Sequence, residues 1–195
     1  MKKKKSSPVF VVGICLVLVS VAFFAGFQLR MVMGARHSQI IAAKLDEILP
    51  ERTAGGVGMY PAANMPVLEV ENTDYVAMVE VPSFGIALPV ADGWNSNKLS
   101  ASPARFCGSA YDGSLVIGGA GDPRQFGFCE QIANGAMVIV TDMTGVQFAY
   151  TVTGVDRAKH AETQWLTEEG CDLTLFCHDI YAMEYIAVRC VFAYR

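Results

Sequence analysis

Residues 8–29 carry no charged side chain. An apolar run of that length crosses a bilayer as a helix. A secretory signal has a shorter apolar core and a small-residue cleavage site, which residues 22–26 (AFFAG) match poorly, so an uncleaved anchor is expected. Residues 39–49 then place Ile40, Ile41, Leu45, Ile48 and Leu49 at mostly helical spacing before Pro50, which predicts a short stalk helix. Residues 51–66, with Gly55, Gly56, Gly58, Pro61 and Pro66, break any period and read as a linker. From residue 72 the pattern turns to short β-type runs, at 75–81 (YVAMVEV), 84–90, 114–117, 136–141, 146–155, 172–177 and 185–192. A helical turn is expected only at 125–132. Short strands at regular intervals with turn residues between them predict a mainly β domain, a closed barrel or a sandwich.

Composition sharpens this division. A chain of 195 residues with 52% hydrophobic residues can bury one sizeable core and has little left for a second domain. Lys2, Lys3, Lys4 and Lys5 hold the N-terminus in the cytoplasm by the positive-inside bias, placing everything after residue 29 outside. The expected parts are a basic tail over 1–7, a transmembrane anchor over 8–29, a stalk and linker over 30–71, and a β-domain over 72–195. The net charge of -4 leaves no basic stripe beyond the N-terminus, which excludes electrostatic capture of nucleic acid. No glycine-rich loop opens a helix, so no nucleotide, flavin or haem is expected, and no other cofactor.

Of six cysteines, Cys15 lies in the apolar span and Cys107, Cys129, Cys171, Cys177 and Cys190 lie beyond it. An oxidising exterior permits disulfides, and five thiols leave one over. A hairpin centred near Tyr181 sets Cys171 almost opposite Cys190 and predicts a cross-strand disulfide there, with Cys107–Cys129 as a second pair and Cys177 left as a thiol. Buried unpaired thiols are the alternative. No cysteine and histidine spacing fits zinc, so no metal is expected.

The order of several phrases resembles the sortase family, over roughly residues 70–195. VEVPSFGIALPV (79–90) is similar to the family's opening strand pair, and SLVIGGAGDPRQFGF (114–128) to the stretch in which a strand ends at the catalytic histidine. GAMVIVTDMTGVQFAYTV (135–152) is similar to its hairpin, and DLTLFCH (172–178) to the strand that ends at the nucleophile. The resemblance implies a sortase-like closed β-barrel of about eight strands with short helices, in which a cysteine, a histidine and an arginine converge in a groove. In active members the thiolate attacks a sorting signal, an imidazolium protonates the leaving amine, and a guanidinium holds the oxyanion. The implied partners are a cell-surface peptide or protein carrying such a signal and, through the anchor, the membrane.

Residue by residue, the resemblance puts Ala120 at the histidine position and Tyr185 at the arginine position. A gap-free match of LTL places His178 at the cysteine position, with Cys177 one residue early. Strand alternation then gives Cys177 the core face of Leu173 and Leu175, and His178 the face of Thr174 and Phe176. Cys177, His178 and Arg189 are the candidate catalytic residues, with His160 as a replacement base. Arg189 lies about 13 Å along its strand from Tyr185. Two readings follow: a degenerate homologue that binds a peptide or protein in the groove, or a divergent cysteine transpeptidase acting through Cys177. A plain interaction domain of other ancestry is a third.

Overall fold

The computed structural model describes residues 8–56, 64–95, 99, 101–167, 170–179 and 182–193; within residues 8–48 it describes the side chains of 12–26, 29, 33 and 36–48. The basic tail expected over 1–7 lies outside the described residues. One continuous helix, α1 (Pro8–Ile48), replaces the separate anchor and stalk helix, because no proline interrupts the chain between Pro8 and Pro50. The side chains of residues 12–26 are all exposed. Among the described residues no helix is long and apolar enough to cross a membrane. The end of α1 docks on the domain: Ile41 and Leu45 are fully buried against Tyr75, Met78 and Met143. Beside them Lys44 pairs with Glu71.

Among the described residues ten strands follow: β1 (Thr53–Ala54), β2 (Leu68–Val70), β3 (Thr73–Val81), β4 (Ile86–Ala91), β5 (Ala104–Cys107), β6 (Leu115–Ala120), β7 (Met137–Asp142), β8 (Val146–Ala158), β9 (Leu173–Asp179) and β10 (Glu184–Phe192). Eight of them close into a barrel in the order β3-β4-β5-β6-β9-β10-β8-β7, with β7 returning to β3. Closure depends on the 13-residue β8, whose first part pairs with β7 and whose later part pairs with β10. β1 and β2 flank the ring on β8 and β3. The linker expected over 51–66 is therefore partly domain: Thr53 and Ala54 join the sheet, and Met65 is 3% exposed in the core. Ala104–Cys107 has no apolar alternation, which is why this strand escaped the pattern.

The barrel interior holds Leu115, Ile117, Phe148, Tyr150, Leu173, Leu175, Ile186 and Val188. On the outer side of the same strands a second cluster forms from Val116, Phe176, Ala187 and Leu166. Leu166 belongs to α2 (Thr163–Leu166), a single turn in the β8–β9 connection. β9 is consequently covered on both sides, and residues 173–177 are all buried.

Candidate functional site

β6, β9 and β10 lie side by side, with β6 parallel and β10 antiparallel to β9. Their registers align Ala120 with His178 and His178 with Tyr185. Directly paired residues share a face of the sheet, so these three form one transverse row with neighbouring strands about 4.8 Å apart. All three are partly exposed. The His178 and Tyr185 rings are 4.7 Å apart, inclined at 51°. The row lies on the outer face, with Phe176, Val116 and Ala187 beneath it.

Aromatic side chains pave that face. Trp94, from the β4–β5 connection, contacts Phe176 at 5.3 Å and Phe106 edge-on at 5.2 Å. Gly118 makes this possible: a Cβ there would fall 2.3 Å from the Trp94 ring and 2.6 Å from that of Phe176. Gly121 follows the end of β6, and a Cβ there would meet the His178 carbonyl oxygen at 2.5 Å. Glycine therefore lets β9 approach closely at the end of the row.

Cys177 points the other way. It is opposite Gly119 and Ile186, packs with the interior residues and is 2% exposed. Its thiol donates to the Phe126 carbonyl at 3.5 Å, and Phe126 opens the 3₁₀ turn Phe126–Glu130 expected within 125–132. A cavity of about 420 Å³ opens at this end of the barrel, lined by Phe84, Ile86, Phe128, Cys177, Asp179 and Ile186 among others. Among the described residues no imidazole hydrogen-bonds this thiol. His160 is exposed in the β8–β9 connection, and His37 lies on α1 with Nδ1 4.0 Å from Glu71.

Arg189 stands on the outer face, opposite Thr174, and is 3% exposed. Its Nε donates to Asp156 at 2.9 Å and its Nη atoms to the carbonyls of Trp165 at 2.6 Å and Leu166 at 3.2 Å. The guanidinium also lies 5.1 Å from the Trp165 ring. These bonds tie the β8–β9 connection to the sheet. The structure thus separates the three candidates: Cys177 faces the interior, His178 stands in the outer row, and Arg189 is enclosed further along the strand. Sequence alternation located each face. It missed Trp94, from an irregular segment, and Trp165, from the single turn α2, both too short to show a period.

The expected disulfides are absent, since no disulfide joins any of the six cysteines. Cys190 pairs with Leu173, two residues along from Cys171, so the hairpin register differs from the one expected. Cys107 packs in the outer cluster and Cys129 in the interior, on opposite sides of the barrel wall. Burial raises the Cys190 thiol above the usual thiol range. Cys129 is raised well above it, by burial first and then by the neighbouring Cys177 thiol.

A mainly β closed barrel of eight strands with few helices matches the sortase fold. A family model described as sortase domain matches residues 79–193, and the chain belongs to the sortase family. No individual curated protein matches it. Sortase A from Corynebacterium diphtheriae superposes with a TM-score of 0.55 at 19% identity, covering 62% of this chain and 61% of that one. Sortase C1 from Streptococcus agalactiae gives 0.55 at 19% identity, covering 65% and 72%. A lid mutant of the Corynebacterium diphtheriae enzyme gives 0.53 at 15% identity, covering 84% and 93%. This chain thus spans less than two thirds of the first of these, and at such identities the likeness establishes the fold.

Proposed function

We propose that this sortase-family protein is a degenerate homologue that has lost transpeptidation and uses the outer surface around Ala120, His178 and Tyr185 to bind a peptide or protein segment. The observation that carries the reading is the transverse row. The positions that sequence resemblance assigns to histidine, cysteine and arginine fall next to one another, and here they hold alanine, histidine and tyrosine. Acyl transfer needs a thiolate, a proton donor for the leaving amine and a cation or N–H group for the oxyanion. None of the three side chains in the row is a thiol, and a methyl group carries no proton. What remains is an aromatic, partly exposed surface formed by Trp94, Phe106, His178 and Tyr185, which suits stacking and apolar contact with an extended segment.

The partner under this reading is a cell-surface peptide or protein resembling a sorting signal. The exposed apolar side chains of α1 support attachment to the cell membrane, with the barrel on the extracytoplasmic side. Docking of Ile41 and Leu45 onto the barrel would hold the domain at a fixed height above the bilayer.

A second reading, an active divergent cysteine transpeptidase, draws on the cavity that Cys177 lines, since a small substrate could reach the sulfur there. Among the described residues no imidazole hydrogen-bonds that thiol to serve as its general acid. The two readings part in one experiment. The full chain in detergent micelles is incubated with a set of fluorescent sorting-signal peptides and an amine acceptor, and binding and product are measured on the same samples. Saturable binding without acyl-enzyme or amide product, weakened by Tyr185→Ala and His178→Ala, is the expected result. Product that disappears in Cys177→Ala would overturn it.

A further inference from the structure

Cys177 has a second thiol beside it. Residues three apart stack along one side of a 3₁₀ helix, so in the turn Phe126–Glu130 Cys129 follows Phe126 on the side facing β9. Phe126 is the residue whose carbonyl receives the Cys177 thiol, and both Phe126 and Cys129 are fully buried. Cys129 and Cys177 belong to the same buried interior cluster, and the Cys177 thiol bonds to the first carbonyl of the turn that carries Cys129. Gly119, the β6 partner of Cys177, brings the turn down onto this spot: a Cβ there would fall 2.6 Å from the Phe126 ring. The two sulfurs differ in access. Cys177 lines the cavity of about 420 Å³, and Cys129 and Cys190 do not.

We propose that Cys129 and Cys177 form a dithiol modification site, converted to an internal disulfide by a small-molecule disulfide that enters the cavity. In the first step the Cys177 thiolate attacks one sulfur of the entering disulfide, forming a mixed disulfide and expelling one small thiolate. In the second the Cys129 thiolate attacks the Cys177 sulfur and expels the other. The protons released by the two cysteines are taken up by the two small thiols. The protein pair is oxidised by two electrons and the entering disulfide is reduced by two. Burial disfavours the Cys129 thiolate, so the second step is the slower one and quickens as pH rises. The product would pin the turn Phe126–Glu130 to the end of β9 and fix one wall of the cavity. This site is independent of the outer row and of peptide binding there.

The test uses the reduced full chain in detergent micelles with excess glutathione disulfide, acid quenching, and peptide mapping by mass spectrometry without reduction. Wild type is expected to yield a cross-link between residues 129 and 177. Cys129→Ser should instead accumulate glutathione on Cys177, at least tenfold more than wild type, and Cys177→Ser should leave Cys129 unmodified. Cys129→Ala and Cys177→Ala serve as second variants should a serine hydroxyl disturb the core. A stable glutathione adduct on Cys177 in wild type with no internal link would overturn the proposal. So would a Cys129–Cys190 link that forms equally well in Cys177→Ser, or an unreactive Cys177 in a protein whose Cys107 and Cys171 are modified.

Discussion

Replacing Arg189 with methionine separates a structural cation from a substrate-holding one. The methionine keeps most of the packing volume and the contact with Trp165 while removing every donor. The bonds that go with the guanidinium include those to Asp156, to the carbonyls of Trp165 and Leu166, and a longer one to Thr174 at 3.4 Å. Breaking a buried ion pair by removing one partner costs about 3–5 kcal/mol, chiefly because the other charge is stranded. Here Asp156 is 45% exposed and regains water, so its share is small. The larger loss is the two carbonyls, at about 1–3 kcal/mol each for a buried group left without a donor. A total of about 3 kcal/mol follows, which for a domain of this size lowers Tm by about 10 °C. Thermal and urea unfolding of the full chain in micelles, followed by tryptophan emission, measures it. Asp156→Asn, which removes charge at a half-exposed site, should cost about 1 kcal/mol or less. Peptide affinity should fall only as far as the β8–β9 connection loosens. An Arg189→Met protein as stable as wild type that no longer binds any peptide would show that this reasoning has the role of Arg189 wrong.

Two further outcomes follow from the interior and from the outer face. Burial raises the Cys129, Cys190 and Tyr150 acid groups. Unfolded thiols ionise near pH 8.5 while the folded ones stay neutral, so the unfolded state binds fewer protons and stability falls as pH rises. Under reducing conditions Tm should be level from pH 6 to 8 and decline above about 8.5; a level profile to pH 10 would contradict the buried placement. Gly118→Val forces a side chain into the Trp94 and Phe176 rings and should cost about 1–3 kcal/mol by overpacking. A red shift in tryptophan emission as Trp94 is displaced is the accompanying readout, and an unchanged spectrum with unchanged stability would argue against the close approach.

Seven of the eight barrel strands were legible because their side chains alternate between two environments or run apolar between turn residues. Ala104–Cys107 was not, since its four residues mix Arg105 with half-buried Phe106 and Cys107 and pair with β4 at a single position. Closure could not be read from period either, because it rests on β8 changing partners partway along its length. The faces of Cys177 and His178 followed from parity, which needs only the strand assignment. The disulfides failed because cross-strand pairing depends on register, and the register was misjudged by two residues. The packing of Arg189 was illegible for another reason: its partners Asp156, Trp165 and Leu166 come from the β8 end and the connection that follows, where only tertiary structure brings them to β10.

Parity also bears on whether the chain could reach an active arrangement by local rearrangement. β9 pairs with β10 over its whole length and with β6 as far as His178, without a bulge, whereas β10 has a register shift against β8 between Arg189 and Cys190. Bringing Cys177 into the outer row therefore requires β9 to slip by one residue. That slip would carry Asp172, Thr174 and Phe176 into the places of Leu173, Leu175 and Cys177, which sit at 0–2% exposure. A carboxylate and a hydroxyl buried without partners cost at least about 1–3 kcal/mol each, and a phenyl ring in a space shaped for a thiol costs about 1–3 kcal/mol more. With at least about 3 kcal/mol opposing it, the slipped state holds less than about one molecule in a hundred. The rearranged row would then read Ala120, Cys177, Tyr185. Even that rare state presents a nucleophile flanked by a methyl group and a phenol, with no imidazole to take its proton and no cation in the row to receive the oxyanion.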